Sequence, residues 1–584
     1  MFVKSLTLAA SIGSLVASAL AITEGACPIS TNTALGEVVS GETFQTSTNS
    51  TLGSGCCAYL ANSPIGNRLI TPSNGSYADR AAMQWSLAAR LMPRCIILPQ
   101  SVSEVSRALT ALVEANERQT CQFAVRSGGH TCWPGAASID YGVMLDLGYL
   151  NSTTYHPENG TASILPGARW GEVYSTLLPQ GVLVAGGRDP TVGVGGFMLG
   201  GGNSFYAAAK GYACDNVANF QVHSLVPRDF SHQANVDQVV LANGSIIDAN
   251  AHTNSDLFQV LKGGSSNVGI VVRYDVYTFQ AEDLWGGIVS YPFSTATQQI
   301  EALVDFGDNL KNDPNSSAIT FFTSTNLANK TSVINVYDYT KPIARPAIFD
   351  KFLAIPGNLS DTTRIANLSN MVAELEQPDG FRDTFLTLTF ANDVDILTKI
   401  ISTHEALYTT LQAAKPRGNW TMNTLFQPIP ALFGQHGAEA GGNVIGLDRF
   451  TDNLILYQLY LAWQGAEQDD FFNSKGRQAI SDIKAASVAN HTDNPFIYLN
   501  YADRSQAPLE GYGNASVAKI KAASAKYDPN GVFQTLMPGG FKISLVDSDP
   551  SSTCAAQAVE LGNSLKVQIE VAGSFKEVVG GRLA

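Results

Sequence analysis

The chain has 584 residues, a formal net charge of −14, 45% hydrophobic residues and 15% charged ones. It is too long for one core and too apolar for a disordered chain, so two or three globular domains are expected. The acidic balance argues against nucleic acid or an anionic membrane surface as a partner.

The N-terminus carries Lys4, the apolar run "SLTLAASIGSLVASAL" and the small-x-small triplet Ala19-Leu20-Ala21. That order predicts a cleaved signal peptide over residues 1–21 and a secreted product. The run is short for a membrane span, no stop-transfer pattern follows, and no later stretch reads as transmembrane. In an oxidising route the eight cysteines (Cys27, Cys56, Cys57, Cys95, Cys121, Cys132, Cys214 and Cys554) point to disulfides rather than metal, with pairing unreadable from spacing. Twelve N-x-[ST] acceptors, among them Asn74, Asn151, Asn358 and Asn490, predict a glycosylated exterior.

Residues 22–85 are rich in Ser, Thr and Gly. From Cys95 the pattern becomes strand, helix, strand. "CIILP" is a short strand, Ser101 with Glu104 reads as a helix start, Leu109, Leu112 and Val113 form an apolar stripe, and "QFAVRS" is strand-like. "GVMLDL", "TASILPGA" and "VGIVVRYDVYT" predict further strands. One stretch interrupts this order: deleting Val222–Gln238 from "NFQVHSLVPRDFSHQANVDQVVLANGS" leaves "NFQVVLANGS", a strand running into an Asn-Gly turn. The 17-residue piece starts with a codon type beginning GT and ends with one that can read CAG, so it is either a retained intron or a surface loop. Residues 282–490 form a second block, in which "LILYQLYLAW" alternates so that Gln458 and Tyr460 share one face and could line a pocket.

Two glycine runs hold the chemistry. "RSGGHT" places His130 directly after Gly128 and Gly129, and "TVGVGGFMLGGGNS" follows some sixty residues on. Glycine lets backbone approach a ligand closely and leaves N–H groups free for anionic oxygen. The second run is not a dinucleotide fingerprint, since Met198 stands where G-x-G-x-x-G needs glycine, and there is no P-loop. No His sits at metal-ligand spacing, and no G-x-S-x-G supports a hydrolase.

With "CIILPQSVSEVSRAL", "FAVRSGGHT", "GVMLDLGYLN", "ILPGARWGEVYSTL", "GGRDPTVGVGGFMLGGGNSFYAAAKGYACDNV", "SDLFQVLKGGSSNVGIV", "YLNYAD" and "AKYDPNGVFQ" in that order, the chain resembles the berberine bridge enzyme-like oxidases. These belong to the FAD-binding superfamily of vanillyl-alcohol oxidase and p-cresol methylhydroxylase, and the form resembles fungal secreted members. The resemblance implies an α+β fold: a two-subdomain FAD-binding domain over 86–281, after an N-terminal segment 22–85, then an α+β substrate domain with an antiparallel sheet over 282–490. A return segment, 491–545, completes the FAD domain, and the tail 546–584 is unassigned.

The resemblance further implies FAD bound covalently through His130. Ser127, Gly128, Gly129 and Thr131 match the pyrophosphate loop. Thr191, Gly195, Gly196, Gly201 and Asn203 match the run along the isoalloxazine and ribityl chain. Gly269, Ile270 and Val271 match the adenine side, and Asn500 and Tyr501 the segment closing over the pyrimidine end. Many relatives add a cysteine bond just before "PTVGVGG"; here that position is Asp189, so attachment through His130 only is expected. Val192 stands where valine accompanies oxygen reactivity, which implies an oxidase. No glutamate matches the base of the plant enzymes. Tyr501 is the first candidate base, followed by Asp448 and Tyr460, with Tyr206 shaping the pocket. A tyrosine base needs a positive charge close by.

The expected reaction is hydride transfer from a small-molecule substrate (a small alcohol, a sugar or oligosaccharide, or a secondary metabolite) to flavin N5, with molecular oxygen reduced to hydrogen peroxide. A flavin dehydrogenase with another acceptor and a flavin-binding protein with little turnover are the alternatives. Sequencing transcripts across Gln221–Val239 tests the intron reading. A message lacking the codons for Val222–Gln238 supports it, and only unspliced message rejects it.

Overall fold

The computed structural model describes residues 54–223, 246–328, 330–414 and 416–546. A four-stranded sheet runs in the order Leu69–Ile70, Cys95–Ile97, Val143–Asp146, Phe123–Arg126. Its last three strands are parallel, because helix Val102–Asn116 supplies the crossover that parallel neighbours need. That helix starts as its sequence predicts. Ser101 Oγ accepts from Glu104 N at 3.3 Å, while the Glu104 carboxylate takes Gln100 N and Arg68 Nε.

A second, five-stranded sheet is antiparallel throughout, in the order Thr153–His156, Thr161–Ile164, Ile270–Tyr277, Val217–His223, Ile246–Asn250. Val222 sits in its interior, paired with Val271 and Ile247. The rest of the suspected intron, residues 224–238, lies outside the described residues.

The nine-stranded sheet is also antiparallel. Its central strands, Ser316–Thr325, Trp420–Ile429, Leu454–Trp463 and Arg382–Ala391, lie side by side. All ten residues of Leu454–Trp463 are buried. Helices Ala296–Asn309, Val394–Ala414 and Asp469–Ala489 pack on the sheet, and alternate residues of the strand line a cavity. This explains a strand without a wet face: both of its faces are covered. The expected mixed α+β architecture with an antiparallel sheet is therefore present. After this sheet the chain returns to the first. Phe123 N donates to Leu536 O at 2.8 Å, and Tyr512 Oη to Gly263 O at 3.1 Å.

Among the described residues, Cys56 bonds Cys121 and Cys57 bonds Cys95, while Cys132 and Cys214 are buried free thiols. The adjacent pair Cys56-Cys57, on helix Ser54–Ala61, thus staples that helix to the parallel sheet at two points. Cys27 and Cys554 lie outside the described residues. The acceptors Asn74, Asn151, Asn159, Asn358, Asn419, Asn490 and Asn514 are exposed. No described helix is long and apolar enough to cross a membrane.

Each staple closes a loop, so replacing Cys57 and Cys95 together by Ser is expected to cost roughly 2–4 kcal/mol. A denaturant midpoint measured against the parent protein checks this.

Candidate active site

The two glycine runs touch backbone to backbone. A Cβ on Gly128 would lie 2.4 Å from the Gly193 Cα, and one on Gly193 would lie 2.4 Å from the Gly128 Cα. No larger residue fits at either position unless the loops part. Arg169 fastens the contact from outside. Its guanidinium donates to Gly128 O at 3.0 Å and to Thr191 O, one bond to each run. Ser127 Oγ adds a second tie, donating to Pro166 O and accepting from Gly195 N at 3.1 Å.

This junction presents His130 to the cavity. Gly129 takes φ +69°, which turns the chain, and Trp85 N donates to Gly129 O at 2.9 Å. The Trp85 indole then stacks flat on the imidazole, with centroids 4.5 Å apart and planes 6° from parallel. His130 Nε2 lies 3.3 Å from Thr191 Oγ1 and 3.9 Å from Asp189 Oδ2. The His130 pKa is lowered to about 4, by burial first, against the opposing charge of Asp189 and with a smaller contribution from Arg169. The ring is neutral at physiological pH and keeps a nucleophilic nitrogen. Asp189 itself is occupied: Oδ1 accepts from Thr191 N at 2.7 Å and Thr191 Oγ1 at 2.6 Å, and Oδ2 accepts from Gln377 N at 3.0 Å.

The opposite wall comes from the large sheet and the return segment. Together the walls enclose a cavity of about 510 Å³, within the range of small-molecule sites. Of the expected cofactor residues, Ser127, Gly128, Gly129, His130, Thr131, Val192, Gly195, Gly196, Asn203, Gly269, Ile270, Val271, Asn500 and Tyr501 all line it. Thr191 and Gly201 do not, although Thr191 touches His130, and Gly201, at φ +106°, shapes the turn behind.

Among the candidate bases, Tyr501 and Tyr460 face the cavity. Asp448 does not: it is exposed on the short turn Leu447–Arg449. Nor does Tyr206, which is buried against Phe279 with ring centroids 4.7 Å apart. Tyr206 was expected at the pocket because it follows the glycine run, and Asp448 because it lies in the region that supplies the base of the plant enzymes, but turn geometry carries both elsewhere.

The positive charge expected beside a tyrosine base is Arg188. It donates to Tyr501 Oη at 3.0 Å and to Gln427 Oε1 at 2.6 Å, while Gln427 Nε2 donates to Tyr501 Oη at 3.3 Å. Tyr460 has the opposite partner, a carboxylate: its hydroxyl donates to Asp383 Oδ1 at 3.0 Å. The ring of Phe385 lies between the two tyrosines, 5.2 Å from Tyr460 and 6.1 Å from Tyr501. Trp85, Arg169, Arg188, Asp383 and Gln427 were not singled out from sequence. Arg169 and Arg188 stand inside matched motifs, "ILPGARWGEVYSTL" and "GGRDPTVG", and a charged residue beside a glycine run was the available signal.

Residues 93–224 match the family model described as an FAD binding domain. The FAD-dependent monooxygenase drtC of Aspergillus calidoustus is 39% identical over 84% of this chain and 90% of its own length. For the FAD-dependent monooxygenase sdcF of Emericella nidulans the identity is 38%, over 84% and 98%. The solved BBE-like 1 protein of Physcomitrella patens superposes with a TM-score of 0.62 at 18% identity, over 82% of this chain and 97% of its own. The chain belongs with these relatives to a family of FAD-linked oxidoreductases, and its fold is that of the berberine bridge enzyme-like protein. The same fold recurs in 6-hydroxy-D-nicotine oxidase from Arthrobacter nicotinovorans, with a TM-score of 0.63 at 18% identity, covering 80% and 96% of the two chains.

The cavity itself fits FAD. Gly196 lines it, and a Cβ there would meet no protein atom within 4 Å. The fold leaves room there for a group lying against the backbone. Gly128 and Gly129, which have only backbone to present, line the cavity beside Thr131, and backbone of that kind suits an anionic diphosphate.

These two kinds of glycine predict different failures. Gly128→Ala should destabilise the fold by about 1–3 kcal/mol or more. Gly196→Ala, inside a helix with open space, should leave the apoprotein's melting within about 0.5 kcal/mol of the parent or slightly raise it. It should nevertheless lower flavin content severalfold. Melting curves read beside flavin-to-protein absorbance ratios separate the two.

Proposed function

We propose that this chain is a secreted FAD-linked oxidase. It holds FAD through a single bond to His130 and takes hydride from a small alcohol, a sugar or oligosaccharide, or a secondary metabolite. When bound, the flavin supplies the two-electron chemistry and passes the electrons to molecular oxygen, giving hydrogen peroxide. The observation that carries the reading is His130 itself: a neutral imidazole, aimed into the cavity by a tryptophan stack, whose Nε2 has, among the described residues, only the Thr191 hydroxyl within hydrogen-bond reach.

The residues around it divide the work. Backbone of the two glycine runs receives the cofactor's anionic centre, and Trp85 keeps the imidazole plane fixed. Tyr501 is the proton acceptor for the substrate's O–H or N–H. The Arg188 guanidinium, 3.0 Å from its oxygen, pairs with the phenolate that must stand there before that proton arrives. Gln427 holds Arg188 and Tyr501 in register. Val192 leaves room for oxygen on the cavity wall. A second cofactor bond has no cysteine at position 189, where the carboxylate instead braces Thr191 and the Gln377 backbone.

The relatives' designation as FAD-dependent monooxygenases supports a second reading, in which an oxygen atom enters the product. Acid precipitation of purified protein tests the cofactor link. Yellow colour should stay with the pellet and leave it in His130→Ala, whereas a yellow supernatant from the parent protein rejects the covalent bond. With a turning-over substrate under air, peroxide equal to the oxygen consumed supports an oxidase. Labelled oxygen recovered in product supports the monooxygenase, and no oxygen uptake supports a dehydrogenase.

A further inference from the structure

Asp383 stands directly behind a cavity wall without lining the cavity. In the strand pairing, Phe385 lies opposite Tyr460 and Asp383 opposite Ala462, so Asp383 is the diagonal neighbour of Tyr460 on the same face. It is 4% exposed, and Tyr460, 7% exposed, separates it from the cavity. The backbone N–H of Asp383 is spent on Ser86 Oγ at 3.0 Å, and the carboxylate accepts the Tyr460 hydroxyl. Trp85, Cys132, Phe385 and Leu425 pack around the pair.

We infer that Asp383 fixes the polarity of the Tyr460 hydroxyl, and that the cavity thereby selects a substrate carrying an O–H donor on an apolar, aromatic body. This rests on reading the cavity as the substrate site of a flavin enzyme. An ionised carboxylate only accepts, and a phenol has one proton. With that proton committed to Asp383, Tyr460 can offer the cavity only lone pairs. The surroundings are mostly aromatic and aliphatic (Trp85, Phe321, Phe385, Leu425), with the amides of Asn423, opposite Tyr460 in the strand pairing, and Gln458 as the polar groups of the same wall, so an acceptor here counts against a ligand without a donor. The carbonyl that an alcohol becomes on oxidation has no donor, so the same oxygen that holds the substrate disfavours the product.

Protonation reverses the arrangement without any covalent change in the pair. When Asp383 binds a proton from solvent, its O–H can donate to the Tyr460 oxygen, and the phenolic O–H is free to turn into the cavity. Burial raises the Asp383 carboxyl to about 6 and raises the Tyr460 phenol too, so the carboxyl is the group that titrates. Above about pH 6 the wall is an acceptor, and below it a donor. Several other groups face the pair. On its own strand side are Asp379 and Arg382, the latter held by Asp469. From the glycine loop comes the Cys132 thiol, which burial keeps neutral, and from the N-terminal segment Ser86. From the return segment comes Asp503, paired with Arg477 at 3.6 Å.

Asp383 is thus a positioning residue, and binding rather than turnover reads it out. FAD-loaded protein is titrated with 2-naphthol and with 2-methoxynaphthalene, which share a body and differ in the O–H, following the flavin absorbance between about pH 5 and pH 8. A roughly tenfold preference for the naphthol is expected at the alkaline end, falling toward parity below about pH 6. Asp383→Asn should make the ratio of affinities independent of pH, and Tyr460→Phe should remove the preference, both with flavin content and melting checked. The wild-type series stands even if a variant misfolds. A ratio that does not move with pH in the wild type, a pH dependence that survives in Asp383→Asn, or loaded protein that binds neither probe overturns the inference. Protein that takes up no flavin at all counts instead against the functional reading beneath it.

Discussion

The site depends on one contact, the backbone of Gly128 lying against the backbone of Gly193. It brings together two loops from different sheets at a distance no side chain tolerates. The contact is itself weak, and two bare peptides crossing have little apolar area to bury. What holds it is Arg169, which carries a charge into a half-buried position to bond one carbonyl of each run. Charge-assisted bonds to carbonyls are strong where water is scarce. His130, Asp189 and Val192 all take their positions from this crossing, so a small shift there would move the whole cofactor side of the cavity.

The facing wall is built on a different principle. Two tyrosines flank Phe385, one tied to a guanidinium and the other to a carboxylate. Identical side chains are thereby made unlike. Tyr501 receives two N–H bonds and has its own proton to dispose of, while Tyr460 has already committed its proton to a hydrogen bond. The sheet makes such a difference stable because its register fixes which partner each phenol meets.

Much of this was legible in advance, and the boundary follows range. Strands such as Cys95–Ile97 and Leu454–Trp463 and the helix start at Ser101 depend on neighbours within a turn or two. Composition and periodicity report that scale well. Asp383 with Tyr460, 77 positions apart, and Arg188 with Tyr501, 313 apart, depend on which strands pair and in what register. Nothing local encodes that. Tyr206 and Asp448 show the converse, since a neighbouring glycine run for the one and the region of the plant enzymes' base for the other placed them at the pocket while turns took them out of it. Trp85 was hidden differently. It ends a stretch whose composition reads as loop, and only the stack on His130 shows that this loop belongs to the site.

The return segment has a consequence for the order of events in synthesis. Asn500, Tyr501, Gly540 and Phe541 close the cavity, yet they leave the ribosome after nearly every other residue that lines it. Trp85, at the other end of the site, is among the first made. A nascent chain therefore owns both glycine runs and the whole large sheet before it owns an enclosed cavity, and for most of its elongation it has no place to retain a ligand. Cofactor capture must follow the emergence of the return segment 491–545 and its docking beside Phe123 and Gly263. A truncation that removes Asn500 and Tyr501 would accordingly behave as a loss of the cofactor site, although the sheets that precede it would be intact.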